Sequence, residues 1–401
     1  MKNTQALLKK ARISFVPEKW TISIVGDACS IRNDLRKPIS IEERASIQGV
    51  YPYYGPTGIL DYINEFMVEG EFSLIGEDGD HFLKPDEKPQ TILVQGKFNV
   101  NNHAHLIASS PTCYAHWFSM FFKHRKITDF LSRQGANRYK LNKATLEKLP
   151  ILLPPLIEQQ AIADLLSTWD EAIEKIERLI RAKEKRFKRF LNDLIFLPTV
   201  SGEWKEILTK SLFKERTESK RGDLPLLSIT NGDGVIPRDE TNRKDSSNED
   251  KSKYLRICAG DIGYNTMRMW QGVSALSTLE GIVSPAYTVC ITGEKLHPSF
   301  VAYLFKMPFM IHRFYRYSQG LTSDTWNLKY RNFCEVRMPL PSLDEQKVIA
   351  ETLNSARNEI DILKQLLEKY KSQKRGLMQK MLTGTWRVTP EFVNTYEEAR
   401  G

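Results

Sequence analysis

Nowhere in these 401 residues do apolar side chains run for the roughly 18 positions that a membrane helix needs, and the opening MKNTQALLKKARIS lacks the apolar stretch of a secretory signal. A cytoplasmic protein without membrane contact is expected. The five cysteines, Cys29, Cys113, Cys258, Cys290 and Cys334, are scattered without a C-x-x-C pair, so neither a disulfide framework nor a zinc knuckle is indicated. No G-x-x-x-x-G-K-[ST] phosphate loop exists, because Gly96-Lys97 lacks the upstream glycine and the following hydroxyl. The only Pro-Pro, Pro154-Pro155, sits in LPPL, so the Asn/Asp-Pro-Pro-aromatic signature of amino-methyltransferases is missing. Glu77-Asp78-Gly79-Asp80 misses the EF-hand spacing and reads as a turn. No catalytic constellation and no metal site is expected in this chain.

What is present is a repeat. Leu153 to Ile195 recurs without gaps at Leu340 to Leu382: Pro154 matches Pro341, Leu156 matches Leu343, Glu158-Gln159 match Glu345-Gln346, and Ile162-Ala163 match Ile349-Ala350. Within the first copy an apolar seam runs Ile162, Leu166, Trp169, Ile173, Ile176, Ile180, Phe187, Phe190, Leu194, with Lys183 in one slot. The second runs Ile349, Leu353, Ala356, Ile360, Leu363, Leu367, Tyr370, Leu377, Met381, with Lys374 as its polar interruption. Alternating steps of three and four predict two coiled-coil helices, each needing a partner along its length.

Charge sets the direction of pairing. The first helix is acidic early (Asp164, Asp170, Glu171, Glu174, Glu177) and basic late (Arg181 to Arg189), and the second follows the same order from Glu351 to Arg375. Parallel pairing would place basic on basic, so an antiparallel pair is expected. About forty residues at 1.5 Å each make a rod of about 60 Å.

The segments before the helices also repeat. GEWKEI echoes PEKWTI, VAYLFKMPFMIHRFYRY echoes a helical stretch expected over 114–133, and NLKYRNFCEVRMPLP echoes KLNKATLEKLPILLPP. Short β-type runs at Phe72-Ile75, Thr91-Val94 and His105-Ile107, punctuated by glycine and proline, give each globular segment an α+β character. The expected division is a first domain over 1–150, a long helix over 151–196, a second domain over 197–338, a second long helix over 339–384, and a tail over 385–401 that lands beside the N-terminus. The fold class is thus α+β, with two globular domains separated by two long antiparallel coiled-coil helices in a pseudo-two-fold repeat. The polar stretch from Arg238 to Lys253 reads as a loop, either a solvated insertion or one ordered on DNA through Arg238, Arg243 or Lys244.

A net charge of +9 and an isoelectric point near 9.1 point to a polyanionic partner, nucleic acid ahead of membrane. NNHAHLI, with His103 and His105, offers amide and imidazole groups suited to base edges or to internal hydrogen bonds.

The order of domain, Leu-Pro-x-Leu-x-Glu-Gln motif and long helix, met twice, resembles the specificity subunit of type I restriction-modification systems. YPYYGPTGILDYI, SLIGEDG and NNHAHLI in the first domain, and GDIGYNTMRMWQG and GIVSPAYTV in the second, extend the resemblance over nearly the whole chain. It implies a non-catalytic reader of double-stranded DNA, each domain a target-recognition domain. It implies docking to two methyltransferase subunits and, for cleavage, two motor-nuclease subunits. S-adenosylmethionine, ATP and magnesium would then reside in those partners, with no cofactor here. The helix pair becomes a ruler for a bipartite target with an unread gap of about 5–8 base pairs, given about 3.4 Å per step. Candidates for DNA contact are Tyr53, Tyr54, Lys97, Asn102, His103 and Arg138 in the first domain and Arg268, Trp270, Ser323 and Lys329 in the second. Arg268 leads, since exposed arginine can pair bidentately with guanine. The alternatives are a coiled-coil adaptor without sequence-specific DNA binding and a stand-alone enzyme whose constellation the sequence hides.

Overall fold

The computed structural model describes residues 5, 8–9, 11–85, 88–133, 139–232, 234–240, 250–322 and 325–398. The chain forms two compact units, residues 1–176 with 367–401 and residues 177–366.

The first unit opens with β1 (Thr21–Ile24) and is built on a sheet of β2 (Ser30–Ile31), β3 (Gln48–Tyr54), β4 (Ile59–Ile63), β5 (Val68–Gly76), β6 (Thr91–Val100) and β7 (Ala104–Ala108), in the order β2-β7-β5-β6-β3-β4. All neighbours are antiparallel except β3 and β6. The expected β runs lie inside β5, β6 and β7. The helix expected over 114–133 is far shorter: α1 spans Ala115–Phe122, every residue of it buried, and the chain then turns through a 3-10 segment at Thr128–Phe130. The polar run Lys123 to Lys126 ends the apolar face that α1 needs against the core. β8 (Pro150–Leu153) returns antiparallel to β1, pairing Thr21 with Leu153, and leads into α2 (Leu156–Leu191).

The second unit repeats this frame around a different interior. β9 (Lys205–Leu208) pairs antiparallel with β14 (Arg337–Leu340), which leads into α5 (Leu343–Met381), as β1 pairs with β8. Between them lies a four-stranded antiparallel sheet of β10 (Phe213–Glu215), β11 (Ile262–Asn265), β12 (Ser274–Leu276) and β13 (Tyr287–Thr292), in the order β10-β13-β11-β12. The stretch read as one helix is two, α3 (Pro298–Leu304) and α4 (Pro308–Tyr317). Each has its proline at the first helical position, where the missing N–H costs nothing.

Within each unit one half of α2 runs antiparallel to one half of α5, as the charge order predicted. In the first unit Lys374 pairs with Asp170, and the Trp169 ring meets Tyr370 at a tilt, centroids 5.4 Å apart. In the second, Lys183 meets Glu359 at 2.5 Å and Lys364 meets Glu184 at 2.7 Å. Both polar interruptions of the seams are thus answered by a carboxylate on the other helix, a device that fixes register. Ile162, Leu166, Ile180, Ile349, Leu353, Ile360 and Leu367 are buried, and Trp169, Ile173, Ile176 and Leu363 are half-buried. The copies differ where they end. After α2 the helix loosens into a π turn at Asn192–Phe196 and continues through the additional residues 197–200, whereas α5 stops at Met381. Each then reaches a left-handed glycine, Gly202 (φ 78°) or Gly384 (φ 71°).

Candidate nucleic-acid interface

The Glu-Gln motif at the start of each long helix is where domain and helix are joined. Gln159 is buried; its Oε1 accepts the Tyr114 N–H at 2.8 Å, and its Nε2 donates to the carbonyls of Thr112 and Pro154, both at 2.8 Å. Gln346 does the same in the second unit, accepting from His297 N–H (2.8 Å) and donating to Lys295 (3.0 Å) and Pro341 (3.1 Å) carbonyls. The preceding glutamates receive the indole N–H at the start of each domain, Trp20 on Glu158 and Trp204 on Glu345, both at 3.0 Å. Each tryptophan then meets a core aromatic edge-on at 5.7 Å, Trp117 or Phe300. In the first unit alone, Arg387 from the tail adds a bidentate pair to Glu158 (2.7 and 2.8 Å) and donates to the Glu18 carbonyl.

At one end of the six-stranded sheet the turn after β6 brings several candidates together. Asn101 N–H donates to the Tyr54 carbonyl, and Glu77 N–H donates to the His103 carbonyl. Asn102 and His103 are exposed there. Arg36 ties the turn down by donating to the Asn102 carbonyl (3.0 Å) and pairing with Glu77 (3.3 Å), while His103 meets Asp78 at 3.1 Å. Tyr54 is half-buried against Phe98, and burial raises its hydroxyl pKa. Lys97 lies elsewhere, exposed above the Phe66 ring at 4.6 Å. Tyr53 is no surface residue: it is wholly buried, its hydroxyl accepting from Ile39 N–H and donating to the Lys37 carbonyl. His105 is likewise internal. Its Nε2 donates to the Leu141 carbonyl, its Nδ1 accepts from Asn33, and burial lowers its pKa, so the ring is held neutral with no nitrogen left for a metal or a base. Arg138 and Ser323 lie outside the described residues, as do residues 241–249 of the polar loop.

In the second unit Arg268 is exposed at the start of a 3-10 turn, Met269–Gln271, and reaches Gln271 at 3.4 Å. Trp270 follows, half-buried, its indole N–H donating to the Met267 carbonyl. Its ring begins an aromatic ladder: Trp326 edge-on at 5.2 Å, then Tyr315 on Trp326 at 4.9 Å. Leu328 N–H donates to the Thr266 carbonyl, which draws the exposed Lys329 into the same group of loops. Lys306 clamps the turn from beneath, donating to the Gly272 carbonyl (2.7 Å) and to Asn231 (3.0 Å), and burial pushes its pKa down to about 8. A cation beside partly exposed rings is the composition that grips unpaired or groove-exposed bases and phosphates.

The family described as "Type I restriction modification DNA specificity domain" matches this sequence twice, over residues 17–184 and 202–371. The chain belongs to that specificity family. The MjaVIII type I restriction enzyme specificity subunit of Methanocaldococcus jannaschii is 24% identical over 404 residues, covering 93% of this chain and 94% of that one. A Haemophilus influenzae chain named as a type I restriction enzyme specificity subunit is 34% identical over 166 residues, 41% of this chain and 40% of its own length. The crystal structure of the type I restriction-modification S subunit from M. genitalium shares the fold at a TM-score of 0.60 and 14% identity, over 90% of this chain and 96% of that one.

Placed in this specificity family, the motif that identified the repeat acquires a physical meaning, since its Glu and Gln are the joint itself. Sequence reading missed Trp326, Tyr315, Arg36 and Lys306. Trp326 had a signal, being one of only seven tryptophans and lying between the polar residues Thr325 and Asn327. Lys306 had none, because its partners, the Gly272 carbonyl and the Asn231 side chain, are distant in sequence.

Proposed function

We propose that this chain is a non-catalytic DNA reader that recognises a bipartite target, one half-site per unit, and docks methyltransferase subunits on its helices. Two independent recognition domains, each seated on a long helix by the same Glu-Gln joint, support this reading. The helices, 36 and 39 residues long, would act as the ruler between the half-sites and leave a gap of about 5–8 base pairs unread. Two methyltransferase and two motor-nuclease subunits would complete the assembly, and S-adenosylmethionine, ATP and magnesium would be held there. The first half-site would be met through Tyr54, Asn102 and His103 with Lys97, the second through Arg268, Trp270, Trp326 and Lys329.

The test is to map the methylated motif in a host carrying this chain and its methyltransferase. Inserting one heptad into each helix should lengthen the gap while preserving both half-sites; an unchanged gap would sink the ruler. Arg268→Ala should relax one base of the second half-site by about 1–3 kcal/mol of discrimination. Equal weakening of all sequences would reassign Arg268 to phosphate contact. A coiled-coil adaptor would instead show no DNA shift whose affinity falls linearly with log salt.

A further inference from the structure

The first unit contains a cleft of about 590 Å³ between the end of α1, α2 and the last turns of α5. Its walls carry five cations, Lys123, Arg125, Lys371, Lys374 and Arg375, against a single carboxylate, Asp170. Asp170 is already shared by Lys374 and Lys123, the latter at 3.3 Å. Arg125 is held in place, its guanidinium 3.8 Å over the Phe121 ring and its Nη1 donating to the Ala11 carbonyl. The floor is apolar, with Ile173 and Met378. Gathering like charges on an apolar floor costs free energy that a bound anion would offset. Burial, reinforced by Lys123, pushes the Lys374 ammonium pKa down.

The pseudo-repeat shows that the cleft is not a by-product of the frame. Counted from the residue whose N–H meets the joint glutamine, Met120 stands where the second unit has Tyr303, and along the helix repeat Lys374 stands where it has Phe187. In the second unit those two rings meet at 6.1 Å, Tyr303 donates to Asn354 at 2.9 Å, and Phe187 packs against the core. The same place is filled by an aromatic pair in one copy and opened and lined with cations in the other.

We propose that this cleft binds a small phosphate-bearing molecule with a planar apolar body, of the nucleoside phosphate class. The volume lies within the range of small-ligand pockets. The phosphates would meet Lys123, Lys374 and Arg375, and the base would lie on the apolar floor.

The probes are ATP, AMP and inorganic phosphate, titrated calorimetrically into the full chain at fixed ionic strength. ATP should saturate one site per chain and AMP should bind more weakly. Met120→Tyr with Lys374→Phe, importing the second unit's pair, should weaken ATP about tenfold or more, as losing a charged hydrogen bond does. Arg375→Gln, at the exposed rim, should weaken it severalfold with an unchanged melting temperature, which guards against a misfolded double variant. Absence of saturable nucleotide binding, or affinity unchanged in both variants, overturns the site. Inorganic phosphate binding as tightly as ATP overturns the nucleoside assignment. Displacement of ATP by a short DNA duplex with the same dependence on Arg375 assigns the cleft to the DNA-binding surface and overturns the small-molecule reading.

Discussion

The two units share a frame and differ in what the frame holds. In both, a tryptophan at the domain's start, a strand pair and a glutamine tie the domain to its helix with nearly equal distances. Inside that frame one unit carries a six-stranded sheet and the other a four-stranded sheet with smaller two-stranded pieces. The lesson is that the joint and the interior it carries are under separate physical control, so the copies can diverge in what they hold without losing how they are held.

The sharpest test of the shared part is the glutamine. Gln159→Ala and Gln346→Ala each remove three hydrogen bonds and strand buried backbone groups, so each should cost about 4 kcal/mol. Denaturant unfolding with hydrogen exchange resolved by unit should show matching losses, each confined to its own unit; a loss in only one would break the equivalence. The glycines that close the helices come next. A Cβ on Gly384 would stand 2.1 Å from Pro17 Cγ, whereas one on Gly202 would meet nothing within 4 Å. Gly202→Ala should therefore cost only the left-handed strain, about 1 kcal/mol, and Gly384→Ala about 3 kcal/mol, read as melting temperatures.

The glutamates distinguish the units more gently. Glu158 is buried and serves both Trp20 and Arg387, while Glu345 is exposed and serves Trp204. Glu158→Gln should cost about 2 kcal/mol and Glu345→Gln less than about 1 kcal/mol. Equal costs would show that the tail's arginine adds nothing.

Acid should act on the first unit. His81, His105 and His116 all have pKa values lowered by burial, His81 to about 4. The folded state keeps them neutral, whereas the unfolded chain takes up protons near pH 6.5, so their stability is full above that pH and is lost as pH falls toward the folded values. His81, with neither ring nitrogen bonded, should account for about 2 kcal/mol of that loss by pH 5. His81→Phe should flatten the decline between pH 7 and pH 5; an unaltered slope would remove His81 from the account.

Much of this was legible in the sequence because it rests on periodicity and charge, which survive without coordinates. The seams, the antiparallel sense and the paired interruptions Lys183 and Lys374 are of that kind. The length of α1 was not, because Lys123 to Lys126 interrupts the apolar run without a glycine or proline to mark the stop. Tyr53, a candidate for DNA contact, proved internal. Its burial follows from β3 being flanked on both sides, by β4 and β6, and from backbone partners at Lys37 and Ile39. The aromatic ladder joins residues 270, 315 and 326 from a 3-10 turn, the end of α4 and the chain beyond it, and no local pattern announces such a meeting.

The glutamine joint also determines what may be exchanged. On the domain side, Gln159 and Gln346 touch only main-chain atoms, those of Thr112 and Tyr114 in one case and of Lys295 and His297 in the other. Such a socket is blind to side chains. The joint asks of an incoming domain one loop of the right shape, one tryptophan, the strand pair at its base and an apolar face for Ile162 and Leu166 or for Ile349 and Leu353, and nothing of its far surface. A domain from a distant relative that offers those features should therefore plug into either helix, carrying its own specificity with it as a cartridge carries its contents.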